Sequence, residues 1–137
     1  MKKILLIIFI AVACNELHAQ YSKELVLETL LKTETTSMGQ TVVYPHDTSA
    51  EVNVVKVTIP SGASTGWHQH HIPVFAYVLQ GTLTVQLDNG TEKEFLPNTS
   101  FAEVIDMFHN GTNKGKEPVV LVVFYAGEKG KPLSIKR

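Results

Sequence analysis

The stretch GWHQHHIPVFAYVLQG, residues 66–81, places three histidines immediately before an almost wholly apolar run. Side chains alternate between two faces in an extended chain, so His68 and His70 project from one face and His71 from the other. Two imidazoles on one face, directly ahead of an apolar strand, make half of a metal-chelating site. The remaining ligands must then come from elsewhere in the chain.

The chain after residue 40 has the pattern of an all-β protein. The segments VNVVKVTIP, FAYVLQG and VVLVVFY are rich in β-branched and aromatic residues, and TLTVQL alternates apolar with polar positions. Turn residues separate about eight such segments, which favours a β-sandwich or β-barrel. Residues 23–32 fit a helix and a strand equally well, and the polar tail, residues 127–137, is expected to lie along the surface.

The length of 137 residues corresponds to one domain. The formal net charge is −1 with both signs interspersed, so we expect no nucleic-acid partner.

The first residues have the pattern of an export signal. MKKILLIIFIAVACNELHAQ, residues 1–20, combines two lysines with an apolar run too short to span a bilayer. We expect a signal peptide over residues 1–19, a mature domain over residues 20–137 with its core at about residues 40–126, and a periplasmic or secreted location. The alternative is a lipoprotein anchored at Cys14; without that lipid, we expect no membrane association of the mature form.

A third histidine stands beside a later predicted strand. His109 is followed four residues on by Asn113, which we expect to hold a turn through its side-chain amide. If the third ligand is a histidine, His109 is the leading candidate.

These residues resemble the two sequence motifs of the cupin superfamily, and the chain looks like a small single-domain cupin. The motif positions read Gly62-x5-His68-x-His70-x3-Val74-x6-Gly81 and Asn98-x5-Val104-x-Asp106-x2-His109-x3-Asn113. Val74 replaces the usual glutamate. Asn98 and Asp106 replace two glycines, and both tolerate a left-handed backbone.

The resemblance implies a jelly-roll β-barrel in which His68, His70 and His109 bind one divalent metal ion. Imidazole ligands suit Fe, Zn, Ni or Cu, and Mn remains open as well. The resemblance also implies a homodimer.

Three further residues are candidates near the predicted metal. Glu103 could ligate it, act as a general base or orient a histidine; the alternative is a glutamate facing solvent. Trp67 and Phe108 each adjoin a predicted ligand and are candidates for substrate binding. His71 is expected to face away from the site.

Two classes of function follow from this interpretation. One is a metal-dependent enzyme, of dioxygenase, lyase or isomerase type, acting on a small anionic or oxygen-rich substrate. The other is a non-catalytic module that binds a small ligand, a sugar or a metal, because one fold hosts both. A barrel that has lost its metal is a third interpretation, suggested by Val74.

Overall fold

The computed structural model describes residues 26–46 and 49–137. The predicted signal peptide and Cys14 lie outside these residues. Within the described part of the chain, no helix is long and apolar enough to cross a membrane.

The described chain forms nine β-strands in two antiparallel sheets, which confirms the all-β jelly-roll prediction. The strands are β1 (Ala50–Ile59), β2 (His68–Gln69), β3 (Val74–Gln80), β4 (Leu83–Leu87), β5 (Glu92–Phe95), β6 (Ser100–Ala102), β7 (His109–Thr112), β8 (Val119–Glu128) and β9 (Ile135–Lys136). One sheet has the order β1-β8-β3-β6 and the other β5-β4-β7-β2-β9. The site residues come from both sheets: His68 and His109 from the second, and Glu103 from the end of β6 in the first.

Alternation along the strands creates the core between the sheets. On β3, Val74, Ala76 and Val78 are buried, as expected for the inward face of a strand. They pack with inward residues of the opposite sheet such as Leu83 and Phe95.

The predictions for residues 26–32, for the tail and for Asn113 can be compared with the structure. Residues 26–32 form neither helix nor strand, and the part of the chain before residue 26 is not described. The tail is largely exposed, as predicted, but it also forms β9, which pairs with β2. Asn113 is buried and donates from Nδ2 to the carbonyls of Ile59 and Glu117, which confirms its role in holding a turn.

The two residues that replace motif glycines have a left-handed backbone. Asn98 has φ 64° and Asp106 has φ 56°. Asparagine and aspartate adopt this region more readily than other residues with a Cβ. The sequence therefore preserves the turns of the motif without glycine.

Candidate metal centre

Strand pairing brings the histidines together. His68 on β2 lies directly opposite His109 on β7, and their ring centroids are 4.4 Å apart. The ring of His70, which follows β2, lies 5.0 Å from that of His68. The structure thus assembles the three histidines that the sequence singled out.

Glu103 joins the three histidines. One ligand atom from each of His68, His70, Glu103 and His109 lies within 4.8 Å of the others, so the group could hold a metal ion. The Oε2 atom of Glu103 is 3.1 Å from Nε2 of His70 and 3.2 Å from Nε2 of His109. The side chain of Glu103 is only 14% exposed, so the alternative of a solvent-facing glutamate is wrong.

Glu103 reaches the histidines from the strand neighbouring the expected position. Val74 is 1% exposed and belongs to the core. The backbone N–H of Glu103 donates to the carbonyl of Val74 over 2.8 Å, because Glu103 continues β6 alongside β3. The carboxylate that the motif lacks at Val74 is therefore available from the adjacent strand.

The backbone fixes the orientation of all three imidazoles. Nδ1 of His68 lies 2.7 Å from the carbonyl of Gly66, Nδ1 of His70 2.7 Å from that of Leu133, and Nδ1 of His109 2.9 Å from that of Met107. A carbonyl only accepts, so each Nδ1 carries the hydrogen. Each Nε2 is left for the centre of the site, as in histidines that ligate metals. The donor set fits a divalent ion of the imidazole-binding kind.

The charges at the site depend on one another. Burial alone would raise the pKa of Glu103, but the hydrogen bonds from His109 and His70 outweigh it and lower the pKa to about 2. Burial would lower the pKa of His109, but its hydrogen bond to Glu103 and the carboxylate charge raise it. Burial lowers the pKa of His68. The carboxylate of Glu103 therefore favours a proton on His109 in the metal-free protein, and a metal ion must displace that proton to bind there.

A cavity of about 50 Å³ adjoins the cluster. Its polar wall includes His68, Glu103, His109, Thr65 and Tyr125. Its apolar wall consists of core side chains from both sheets: Val57, Leu83, Val85, Leu121 and Val123. A water needs only about 10–15 Å³ of such space, so the cavity has room for water or another small group beside the four side chains.

Tyr125 is a site residue that the sequence did not separate from the core aromatics. It lines the cavity, and its ring centroid is 5.6 Å from that of His70. Burial raises the pKa of its phenol to about 12, and the Glu103 charge adds to the effect. The phenol therefore stays protonated at neutral pH and can donate a hydrogen bond into the cavity.

Trp67 and Phe108, the two candidates for substrate binding, do not line this cavity. Both rings instead face the guanidinium of Arg137, whose Cζ lies 5.9 Å and 5.4 Å from their centroids. Trp67 precedes His68 and Phe108 precedes His109. Because neighbouring side chains in an extended chain point to opposite faces, the two aromatic rings lie outside the site that the histidines enter.

His71 faces away from the site, as predicted. Its exposed side chain is hydrogen-bonded through Nδ1 to the carboxylate of Asp106.

The sequence matches the family model of the cupin domain over residues 55–125. No curated protein matches the chain.

Several solved structures share the fold. A cupin-like protein from Thermotoga maritima is 17% identical, with a TM-score of 0.57 over 63% of this chain and 64% of that one. A DMSP lyase from Ruegeria pomeroyi is 15% identical, with a TM-score of 0.54 over 62% of this chain and 42% of the lyase. An oxalate decarboxylase from Lactobacillus farciminis is 20% identical, with a TM-score of 0.54 over 62% of this chain and 26% of the enzyme. The chain thus spans less than half of these two enzymes.

Proposed function

This chain belongs to the cupin domain family, and on that premise we propose that it is a metal-dependent enzyme. His68, His70 and His109 hold one divalent ion, and Glu103 is a fourth ligand or a general base. The substrate is a small anionic or oxygen-rich molecule, and the reaction is of dioxygenase, lyase or isomerase type. Proteins of similar fold include a DMSP lyase and an oxalate decarboxylase.

The observation that carries the proposal is the orientation of the imidazoles. Hydrogen bonds from all three Nδ1 atoms to backbone carbonyls leave three Nε2 atoms and one carboxylate at a common centre. Buried histidines that serve packing alone have no reason to converge in this way. Ligation requires it.

The ion, when bound, supplies Lewis-acid polarisation of substrate oxygens, and a redox-active metal supplies electron transfer as well. The four side chains contribute a single negative charge, because the imidazoles are neutral when they ligate. The site with a bound divalent ion therefore keeps a net positive charge, and this charge attracts anionic oxygens. Tyr125 donates its phenolic hydrogen to such an oxygen, and Glu103 accepts a proton if it acts as a base.

A second candidate function is a non-catalytic module that binds metal or a small ligand. The size of the cavity favours it, since about 50 Å³ leaves little room for a substrate beside an ion. The two candidates share the metal ligands and differ in whether turnover follows binding.

We further propose that the protein is exported and forms a homodimer. Export is supported by the leader-like residues 1–19.

Dimerisation is supported by apolar residues on the outer face of the first sheet. Val52 and Val54 on the edge strand β1 are 66% and 54% exposed, and Phe124 on the neighbouring β8 is 43% exposed. Exposed apolar strands at a sheet edge favour pairing with a second copy. Light scattering of the purified protein at several concentrations tests this, and a monomer throughout would contradict it.

Elemental analysis of protein purified without an affinity tag tests metal binding. We expect about one ion per chain in the wild type. An exchange variant, Val74→Glu combined with Glu103→Val, moves the carboxylate back to the adjacent strand. We expect it to bind more metal than Glu103→Val alone, because the ligand count is restored. No metal in the wild type, even after reconstitution, would contradict the proposal.

Turnover by the metal-loaded protein then separates the two candidates. The wild type and Glu103→Gln are assayed against phenols, sugar acids and keto acids, with substrate loss followed by mass spectrometry. Turnover in the wild type that is lost in a metal-containing Glu103→Gln variant supports the enzyme and identifies the base. Ligand binding without turnover across the panel supports the binding module.

A further inference from the structure

We propose that residues 133–137, which we call the strap, are a positioning element of the metal centre. The strap holds the ring of His70 so that Nε2 faces the other ligands. The inference rests on the proposed metal site for its functional meaning. Its structural part concerns only how His70 is held.

Among the three ligand histidines, only His70 has a distant partner for its Nδ1, and the strap supplies it. The partners of His68 and His109 are carbonyls two residues away, at Gly66 and Met107. The partner of His70 is the carbonyl of Leu133, 63 residues away. Local backbone therefore orients two of the three ligands, whereas His70 depends on where the strap lies.

Backbone pairing places the Leu133 carbonyl. Within the strap, β9 pairs with β2 through Ile135 opposite Gln69 and Lys136 opposite His68. The N–H of Arg137 donates to the carbonyl of Trp67 over 3.1 Å. The side chain of Leu133 packs against the core. The strap is thus paired with the strand that carries His68. Its first residue, Leu133, lies beside His70.

Arg137 anchors the far end of the strap on two aromatic rings. Its guanidinium lies 5.9 Å from the ring centroid of Trp67 and 5.4 Å from that of Phe108. These distances are those of cation–π contacts. Trp67 and Phe108 each adjoin an inward-facing ligand and project outward. Their rings therefore form the surface on which the strap is held, next to the metal site but outside its cavity.

The role follows from what an imidazole requires to ligate through Nε2. Nδ1 must carry the hydrogen, and the ring plane must be fixed. Without the Leu133 carbonyl, Nδ1 of His70 would lose the acceptor that keeps its hydrogen and its ring in place. With the strap in place the ring is 1% exposed, so the Leu133 carbonyl, and not water, is the acceptor for the Nδ1 hydrogen.

Nuclear magnetic resonance of the metal-free protein, labelled with ¹⁵N in histidine, tests the structural part. The measured quantity is the rate at which the Nδ1 hydrogen of His70 exchanges with solvent. We expect slow exchange in the full chain and about tenfold faster exchange in Arg137→Gln, because loss of the two ring contacts lets the strap open more often. The Nδ1 hydrogen of His109, held by Met107, is the internal control and should not change. Lys136→Gln removes a charge from the strap without touching the rings and should match the full chain.

A chain that ends at Gly130 removes the strap and tests its effect on metal binding. We expect zinc to bind about 10- to 100-fold more weakly in a competition titration, as when a partner of a ligating histidine is lost. Unchanged His70 exchange in Arg137→Gln, or unchanged zinc affinity in the shortened chain with native β-structure, would overturn the proposal. If the full chain binds no zinc, the proposed metal function fails, and His70 exchange still decides whether the strap holds the ring.

Discussion

Replacing Glu103 with glutamine is expected to destabilise the metal-free protein by about 3 kcal/mol at about pH 6. Glutamine has the shape of a protonated glutamate but no charge. In the wild type, Oε2 of Glu103 accepts hydrogen bonds from both His70 and His109. The substitution leaves the geometry and removes the charge that these rings stabilise.

The magnitude follows from the pKa of Glu103. It falls from an ordinary value of 4.5 to about 2 on folding. That difference corresponds to about 3 kcal/mol between the ionised and the protonated carboxyl. Because the folded pKa is the lower one, this stabilisation is complete above about pH 4.5 and is lost as the pH falls towards 2.

The raised pKa of His109 sets the upper pH limit of this stabilisation. The contribution of protonated His109 to the free energy of unfolding is complete below about pH 6.5 and is lost as the pH rises through the folded pKa. The effect of Glu103→Gln should therefore be largest between about pH 4.5 and pH 6.5, and should fall below about 1 kcal/mol near pH 2.

Guanidinium unfolding in the presence of a chelator measures this difference. Trp67 is the only tryptophan in the sequence, and its fluorescence reports the transition. Glu94→Gln removes a charge from an exposed position on β5 and should change the free energy of unfolding by less than about 0.5 kcal/mol. Equal stability of Glu103→Gln and the wild type at about pH 6, or a difference that persists undiminished near pH 2, would refute the reasoning.

Three further substitutions and one matched control test the site and the fold. His109→Ala should retain less than about a tenth of the wild-type metal after gel filtration, by elemental analysis; full occupancy would remove His109 from the site. Tyr125→Phe should keep the metal and weaken the binding of a small carboxylate such as acetate by about threefold to tenfold in calorimetry, because a hydrogen-bond donor is lost; unchanged affinity would contradict a role in binding. Gly81→Ala should lower the free energy of unfolding by about 2–4 kcal/mol, because φ is +72° and the new Cβ would lie 2.7 Å from the carbonyl oxygen of Pro118. Gly90→Ala, with φ +85° and open space around it, should cost only about 1 kcal/mol in the same denaturation experiment; equal losses would contradict the steric argument.

The sequence alone determined the class of fold and the set of histidines. Alternation of apolar and polar residues is a local property, so it predicted the long strands and the shared face of His68 and His70. The motif spacing added His109, and the tolerance of asparagine and aspartate for positive φ explained Asn98 and Asp106. The two-residue strands β2 and β9 were not predicted, since so short a strand has no periodicity to detect.

Only the tertiary structure decided what surrounds those histidines. The sequence was equally compatible with Glu103 at the metal site and with Glu103 facing solvent. The pairing of β3 with β6 places Glu103 beside Val74 and in the site. The carbonyl of Leu133 carries no signal in sequence, because every residue has one and only the position of β9 directs it at His70. Contacts between residues far apart along the chain depend on strand order and register, and these are set by the packing of the whole barrel.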